Sequence, residues 1–321
     1  MSDLLPFNLG VLLSFAVGAV VSFTITPALA RKASQVGLMA TDLHKPLRPQ
    51  IPNLGGVAVV VSFLAAMTVG GLLTLNQVSV FVIFFTASLG AIVGLIDDLL
   101  GLSIRTHILV TLLIGVPLVA YRAGNSILGL TPWGPIDLGI YFWLAVPLIT
   151  AFVTNGVNIY AGFNGLEVGL SGTTTIALGI SALLYGQMES ALGLLALGGA
   201  LVGFARWNIS PAKILPGNIG TYLIGAVLSA SIIVGSIKVA GAIACFPYFL
   251  NFLLRVRNRF KWTVGHTLPS GFLKADSLIA LWAVFMQNPT TERKVVLGCV
   301  AIQLVFGVLA VLYSAYSLHL I

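Results

Sequence analysis

The chain has 321 residues, of which 58% are hydrophobic and 8% charged, with a mean hydropathy of +1.04 and a formal net charge of +7. A water-soluble protein carries about a quarter of its residues as Asp, Glu, Lys or Arg, so a soluble globular domain is excluded. The positive surplus of such a chain reports membrane topology before it reports a partner, and no nucleic acid is expected. Two cysteines, Cys245 and Cys299, both in apolar surroundings, exclude a disulfide framework or a metal knuckle.

In chain order, ten apolar runs predict membrane spans: 5–29, 54–74, 78–96, 104–121, 140–157, 168–186, 190–205, 219–237, 239–254 and 295–318. The runs are continuous rather than alternating, and lipid forbids open sheet edges. The expected fold class is therefore all-α, a polytopic membrane protein forming a single domain over 1–321. The first run has no basic stretch before it, only Asp3, and is too long for a signal peptide, so it reads as a retained span. With the N-terminus outside and strict alternation, fourteen Lys and Arg fall on inner segments and two, Arg122 and Lys238, on outer ones. That bias predicts both termini outside and the long polar loops, 30–53 and 255–292, on the inner face. Between the fourth and fifth runs, the Gly and Pro of Arg122–Gly139 predict turns or a hairpin.

The inner polar stretches carry the chemistry. "LHKPLRPQIPNLGG" (43–56) places Lys45 and Arg48 in a proline-stiffened loop. "GLIDD" (94–98) ends the third run with Asp97 and Asp98, which a helix directs about 100° apart, so they do not grip one ion as a pair. Carboxylates are costly at mid-bilayer and belong at the mouth of the span. "TNGVNIYAGFNGLEVG" (154–169) sets Asn155 and Asn158 three apart and adds Gly162, Asn164, Gly165 and Glu167. Glycine lets the backbone approach a ligand, and asparagine suits a metal or a base edge. "LPGNIGTYLIG" (215–225) puts Asn218 at a helix start, where a polar residue caps the helix or helps hold an anion or metal. Four cations crowd Arg255–Lys261 beside Phe260 and Trp262, either a headgroup anchor or a phosphate grip. Together these residues suggest a site where a divalent cation and phosphates meet.

These stretches, with "FPYFLNFLLR" and "NPTTERKVVLG", resemble the polyprenyl-phosphate N-acetylhexosamine-1-phosphate transferases, within them the archaeal and eukaryotic UDP-GlcNAc:dolichyl-phosphate branch. The resemblance implies ten spans and a cytosolic site in a plasma membrane of archaeal type. It also implies transfer of GlcNAc-1-phosphate from UDP-GlcNAc to a polyprenyl or dolichyl phosphate, with Mg2+ or Mn2+, as the first step of lipid-linked glycan assembly. Membrane lipids and a homodimer partner are expected with it. Carried over by motif, Asp97, Asp98 and Lys45 would be catalytic, and Asn158, Asn218 and Asp98 would hold the metal. Asn155, Gly162, Asn164, Glu167, Arg105, Arg257, Arg259 and His266 would bind substrate. Two departures stand out: Asn218 replaces the aspartate of the family's Gly-Asp pair, and His107 stands where the family carries a lysine. Rival readings are an undecaprenyl-phosphate transferase of cell-wall synthesis, a transporter, and an inactive nucleotide-sugar-binding homologue.

Overall fold

Every apolar run folds as a helix or a broken pair of helices, because a segment in lipid must satisfy its backbone polar groups internally. The computed structural model describes residues 4–74, 76–128, 135–260 and 265–318, with the side chains of 4–8, 104 and 105 outside the described set. The helices are α1 (Leu4–Gln35), α2 (Gly56–Gly71), α3 (Gln77–Leu100), α4 (Ile104–Leu113), α5 (Val116–Ala120), α6 (Ile140–Ile159) and α7 (Leu166–Leu184). They continue with α8 (Met188–Asn208), α9 (Gly217–Val234), α10 (Lys238–Ala244), α11 (Phe246–Arg257) and α12 (Glu292–Ser317). Seven are long and apolar enough to cross a membrane singly, and α10 with α11, bent by 55° at their junction, forms an eighth. The second and fourth expected spans fall on shorter apolar helices, Gly56–Gly71 and Thr106–Ala120.

α9 is the hub. Every residue from Ile219 to Ile233 is buried, as expected of a helix that is apolar all round. α3 and α6 pack on it most extensively, with α8 and α2 behind; α1 packs on α8 and α2, and α7 lies between α8 and α12.

The long loops gather at one end of the bundle. The first holds the antiparallel pair β1 (Met39–Thr41) and β2 (Gln50–Pro52); after β2 its backbone bonds to the α8–α9 link, Leu215 N donating to Pro52 O at 2.9 Å and Gly55 N to Leu215 O at 2.8 Å. At the other end, the hairpin expected from Arg122–Gly139 is present as β3 (Ile127–Leu128) and β4 (Ile136–Asp137), with 129–134 outside the described residues. Between α11 and α12 lie β5 (His266–Thr267), β6 (Leu273–Lys274) and the 3-10 helix Leu281–Met286.

Candidate active site

α3 and α9 cross closely because Gly94 has no side chain: a Cβ there would lie 2.4 Å from the Asn218 carbonyl oxygen. This approach delivers the aspartate pair to the start of α9. Asp98 accepts the backbone N–H of Asn218 on one oxygen and of Ile219 on the other, both at 2.9 Å. A carboxylate from another helix thus caps α9, satisfying donors that have no partner within the helix and complementing its dipole. Asn218 is not the cap. Its amide nitrogen donates to Asp97 at 2.9 Å, and the Tyr222 hydroxyl donates to the same Asp97 oxygen at 3.1 Å. The His107 ring nitrogen lies 3.0 Å from that hydroxyl and 3.3 Å from that oxygen. The two aspartates therefore face different partners, as their spacing along a helix requires.

The end of α6 completes this wall. Asn158 donates to Asn218 Oδ1 at 2.7 Å and to the Thr221 hydroxyl at 2.9 Å. Asn155, one turn earlier, is instead bound to the Thr111 hydroxyl of α4 at 3.0 Å. The turn that follows needs Gly162 and Gly165, whose φ angles are +132° and +84°. Glu167 is buried at the start of α7 and accepts the Gly162 N–H at 2.9 Å, fixing the turn from beneath.

Asn164 faces another cluster. Its amide donates to Asp42 at 3.0 Å, and its backbone N–H donates to Glu292 at 3.0 Å. Glu292, in the first turn of α12, also accepts the Ser210 hydroxyl at 2.6 Å and is paired with Lys45. Lys45 lies 3.7 Å from Asp42 as well. Four segments remote in sequence are thereby held by one buried carboxylate. His44 stacks on Phe163, centroids 4.0 Å apart, and burial holds its imidazole below the ordinary histidine range.

Beside these groups lies a cavity of about 200 Å³, lined among others by His44, Asn158, Gly162, Asn218, Arg255 and Trp282. Its walls contrast. One carries the carboxamides backed by Asp97; the other carries the Arg255 guanidinium over the Trp282 ring at 5.7 Å. His44 Nε2, Arg255 Nε and Trp282 Nε1 are buried without hydrogen-bond partners. Native interiors rarely leave such groups unsatisfied, and all three belong to residues that line the cavity.

Of the residues expected from sequence, Asn158, Gly162 and Asn218 line the cavity, and Asp97 and Asp98 stand directly behind Asn218. Lys45, Asn155, Asn164 and Glu167 brace the surrounding turns. Arg257 and Arg259 are exposed outside the lining, and His266 pairs with Asp276 at the surface at 2.6 Å. The Arg105 side chain lies outside the described residues. The missed residues are Asp42, His44, Ser210, Tyr222, Arg255, Trp282 and Glu292. For Arg255 the signal was available: Tyr248, Asn251 and Arg255 fall on the buried face of α11 at helical spacing, which turns Arg257 outward.

Two sets of donors suit a cation. Asp42, His44 and Glu292 have ligand atoms within 4.8 Å of one another, but the Lys45 ammonium is paired with Glu292 and lies 3.7 Å from Asp42, where it would repel a second cation. Asp97, Asn218 and Asn158 form a chain of 2.9 and 2.7 Å contacts. Their carboxylate and carboxamide oxygens are hard donors of the kind a divalent cation takes.

The pattern of glycosyl transferase family 4 matches residues 80–236. A provisionally named UDP-N-acetylglucosamine–dolichyl-phosphate N-acetylglucosaminephosphotransferase of Saccharolobus solfataricus is 31% identical over 319 residues, 97% of this chain and 98% of that protein. A protein of the same name from Sulfolobus acidocaldarius is 30% identical over 97% of this chain and 98% of its own length. A phospho-N-acetylmuramoyl-pentapeptide-transferase of Moorella thermoacetica is 28% identical over 73% of this chain and 80% of its own. The matched region holds the aspartate pair and both asparagine motifs, and the similarity to the archaeal proteins runs from end to end. The chain is an integral membrane enzyme that belongs to the polyprenyl-phosphate N-acetylhexosamine-1-phosphate transferases, glycosyl transferase family 4.

Proposed function

We propose that this chain transfers GlcNAc-1-phosphate from UDP-GlcNAc to a polyprenyl phosphate of the dolichyl type, at a site on the cytosolic face. A lipid phosphate oxygen bonds to the β-phosphorus, the bond from that phosphorus to the bridging oxygen breaks, and UMP leaves with the bridging oxygen. The products are polyprenyl-diphospho-GlcNAc and UMP. The observation that carries this reading is the cavity with an acid–amide wall opposite an arginine. Two anionic substrates repel each other, and such a pocket offers each a counter-charge in register.

Asp97, Asn158 and Asn218 would hold magnesium, which when bound supplies positive charge to the phosphoryl oxygens. Asp98 is a positioning residue: its hold on the start of α9 sets where Asn218 points. Arg255 lies where a diphosphate can take its guanidinium, and its unpartnered Nε is a free donor. The Phe163 and Trp282 rings, packed edge to face, make that wall apolar, and Gly162 leaves room for a ligand beside them. A lipid monophosphate already carries an anionic oxygen at neutral pH, so no side chain is required as a base.

The test supplies solubilised protein with radiolabelled UDP-GlcNAc, polyprenyl phosphate and magnesium. Label moving into the organic phase with matching UMP release is the expected result. No transfer across several metals and lipids overturns the proposal. Transfer from UDP-N-acetylmuramoyl-pentapeptide but not from UDP-GlcNAc would assign the chain to the cell-wall branch instead.

A further inference from the structure

A cleft roomier than the active-site cavity lies elsewhere in the bundle. It lies between α7, α8 and α12, holds about 650 Å³, and shares no lining residue with the cavity around Asn218. Its floor is one face of α7: Gly165, Gly169, Gly172, Thr173 and Ile176 recur at helical spacing. α8 and α12 form the walls, and the rim residues Val202, Ile209 and Leu297 are exposed. The floor runs twelve residues from Gly165 to Ile176, about 16 Å of helix. Gly172 faces open space, since a Cβ there would meet nothing within 4 Å.

The cleft is polar at one end only, where Asn164, Ser210 and Arg293 stand at the loop end of the bundle. Its polar groups are already committed, with one exception. Asn164 is bound to Asp42 and Glu292, and Ser210 to Glu292. Glu292 is in turn paired with Lys45, so it leaves the adjacent Arg293 uncompensated. Among the described residues, Arg293 has neither an ion pair nor a hydrogen bond, and it is exposed at the mouth. An apolar trough deepening into the membrane from one free guanidinium matches a molecule with a hydrocarbon chain and an anionic phosphate head. Arginine engages phosphate oxygens in pairs, and the chain removes the apolar walls from contact with water.

We propose that this cleft is a binding site for an anionic membrane phospholipid, with its phosphate on Arg293 and one chain along the Gly165–Ile176 face of α7. It is separate from the cavity where transfer takes place and does not depend on that reaction.

The test reconstitutes the full chain in nanodiscs with phosphatidylglycerol bearing a mid-chain diazirine, and in parallel with phosphatidylcholine carrying the same chains. After photolysis, adducts are mapped by peptide mass spectrometry. Adducts should concentrate on 165–176 and 293–300 and be stronger with phosphatidylglycerol. Arg293→Gln should lower that headgroup preference about tenfold, the scale of one charge-assisted hydrogen bond, while leaving chain adducts in place. Gly172→Leu, whose Cβ would meet nothing within 4 Å and whose side chain would enter the trough, should remove the chain adducts. Adducts spread evenly over all lipid-facing helices, or unchanged by both substitutions, overturn the proposal. So does near-complete disulfide cross-linking between copies through Leu297→Cys, which would show that a second chain covers the cleft.

Discussion

At Asn218 a carboxamide bridges Asp97 and Asn158, donating to one and accepting from the other. An aspartate here would face Asp97 at hydrogen-bond distance with no proton between them, and two carboxylates so close repel unless a cation intervenes. Asn218→Asp should therefore lower the Tm in chelator and raise it steeply with added magnesium, whereas the native chain responds weakly. Thermal unfolding across a magnesium titration checks this without any turnover. An equal magnesium response in both proteins would remove Asn218 from the metal set. His44 makes a second residue-scale prediction. Burial lowers its folded pKa from the ordinary 6.5, so the unfolded chain takes up a proton first as the pH falls. Stability held above 6.5 is then lost on acidification toward the folded value. His44→Phe keeps a ring against Phe163 and should shrink the Tm difference between about pH 7.5 and about pH 5. An undiminished difference would place the acid sensitivity elsewhere.

Elements bring these residues together, and two junctions can be broken separately. Asp98 satisfies two N–H groups at the start of α9, so Asp98→Ala orphans both and should cost about 1–3 kcal/mol. Asp98→Asn keeps an acceptor and should cost less. Hydrogen exchange should accelerate in the first turn of α9 and leave α12 unchanged; uniform acceleration would contradict a local cap. The second junction is the Glu292 clamp. Lys45→Met leaves a buried carboxylate without its counter-charge and should cost about 1–3 kcal/mol, given the part-exposed lysine. Glu292→Gln added to Lys45→Met should recover part of that loss in a double-mutant cycle, and strict additivity would show that the pair is uncoupled. The cap was half legible in the sequence. "GLIDD" and "PGNIG" each announce a polar helix end, but that the first caps the second depends on the crossing at Gly94. The clamp was illegible, because Lys45 and Glu292 are separated by 247 positions and joined only through tertiary packing. The arginine cluster was legible as a group, but which of its members reaches the cavity was not: α11 continues to Arg257, and its helical phase, rather than the density of charge, places Arg255 at the lining.

For the whole molecule, apolarity along the chain was enough to locate the helices, because in lipid a long apolar run has almost no other stable conformation. It located them less well where chain length falls short: α2 has 16 residues, and the run at 104–121 breaks between α4 and α5. Orientation rests on the lysine and arginine count, and it makes the last prediction. Ser270, in the long segment before α12, and Arg122, after α5, are both exposed at opposite ends of the bundle, and if the count is right they face the inner and outer sides of the membrane respectively. In a chain freed of its own cysteines by Cys245→Ala and Cys299→Ala, Arg122→Cys should react with an impermeant maleimide on intact cells. Ser270→Cys should react only after permeabilisation. The same labels also test where catalysis takes place, since Ser270 shares its end of the bundle with Asp97, Asn158 and Lys45. Labelling of both positions from one side would dismantle the alternating topology. Reversed labelling would keep the bundle but turn the cavity outward, away from cytosolic UDP-GlcNAc, and would defeat the proposed reaction even with every active-site contact intact.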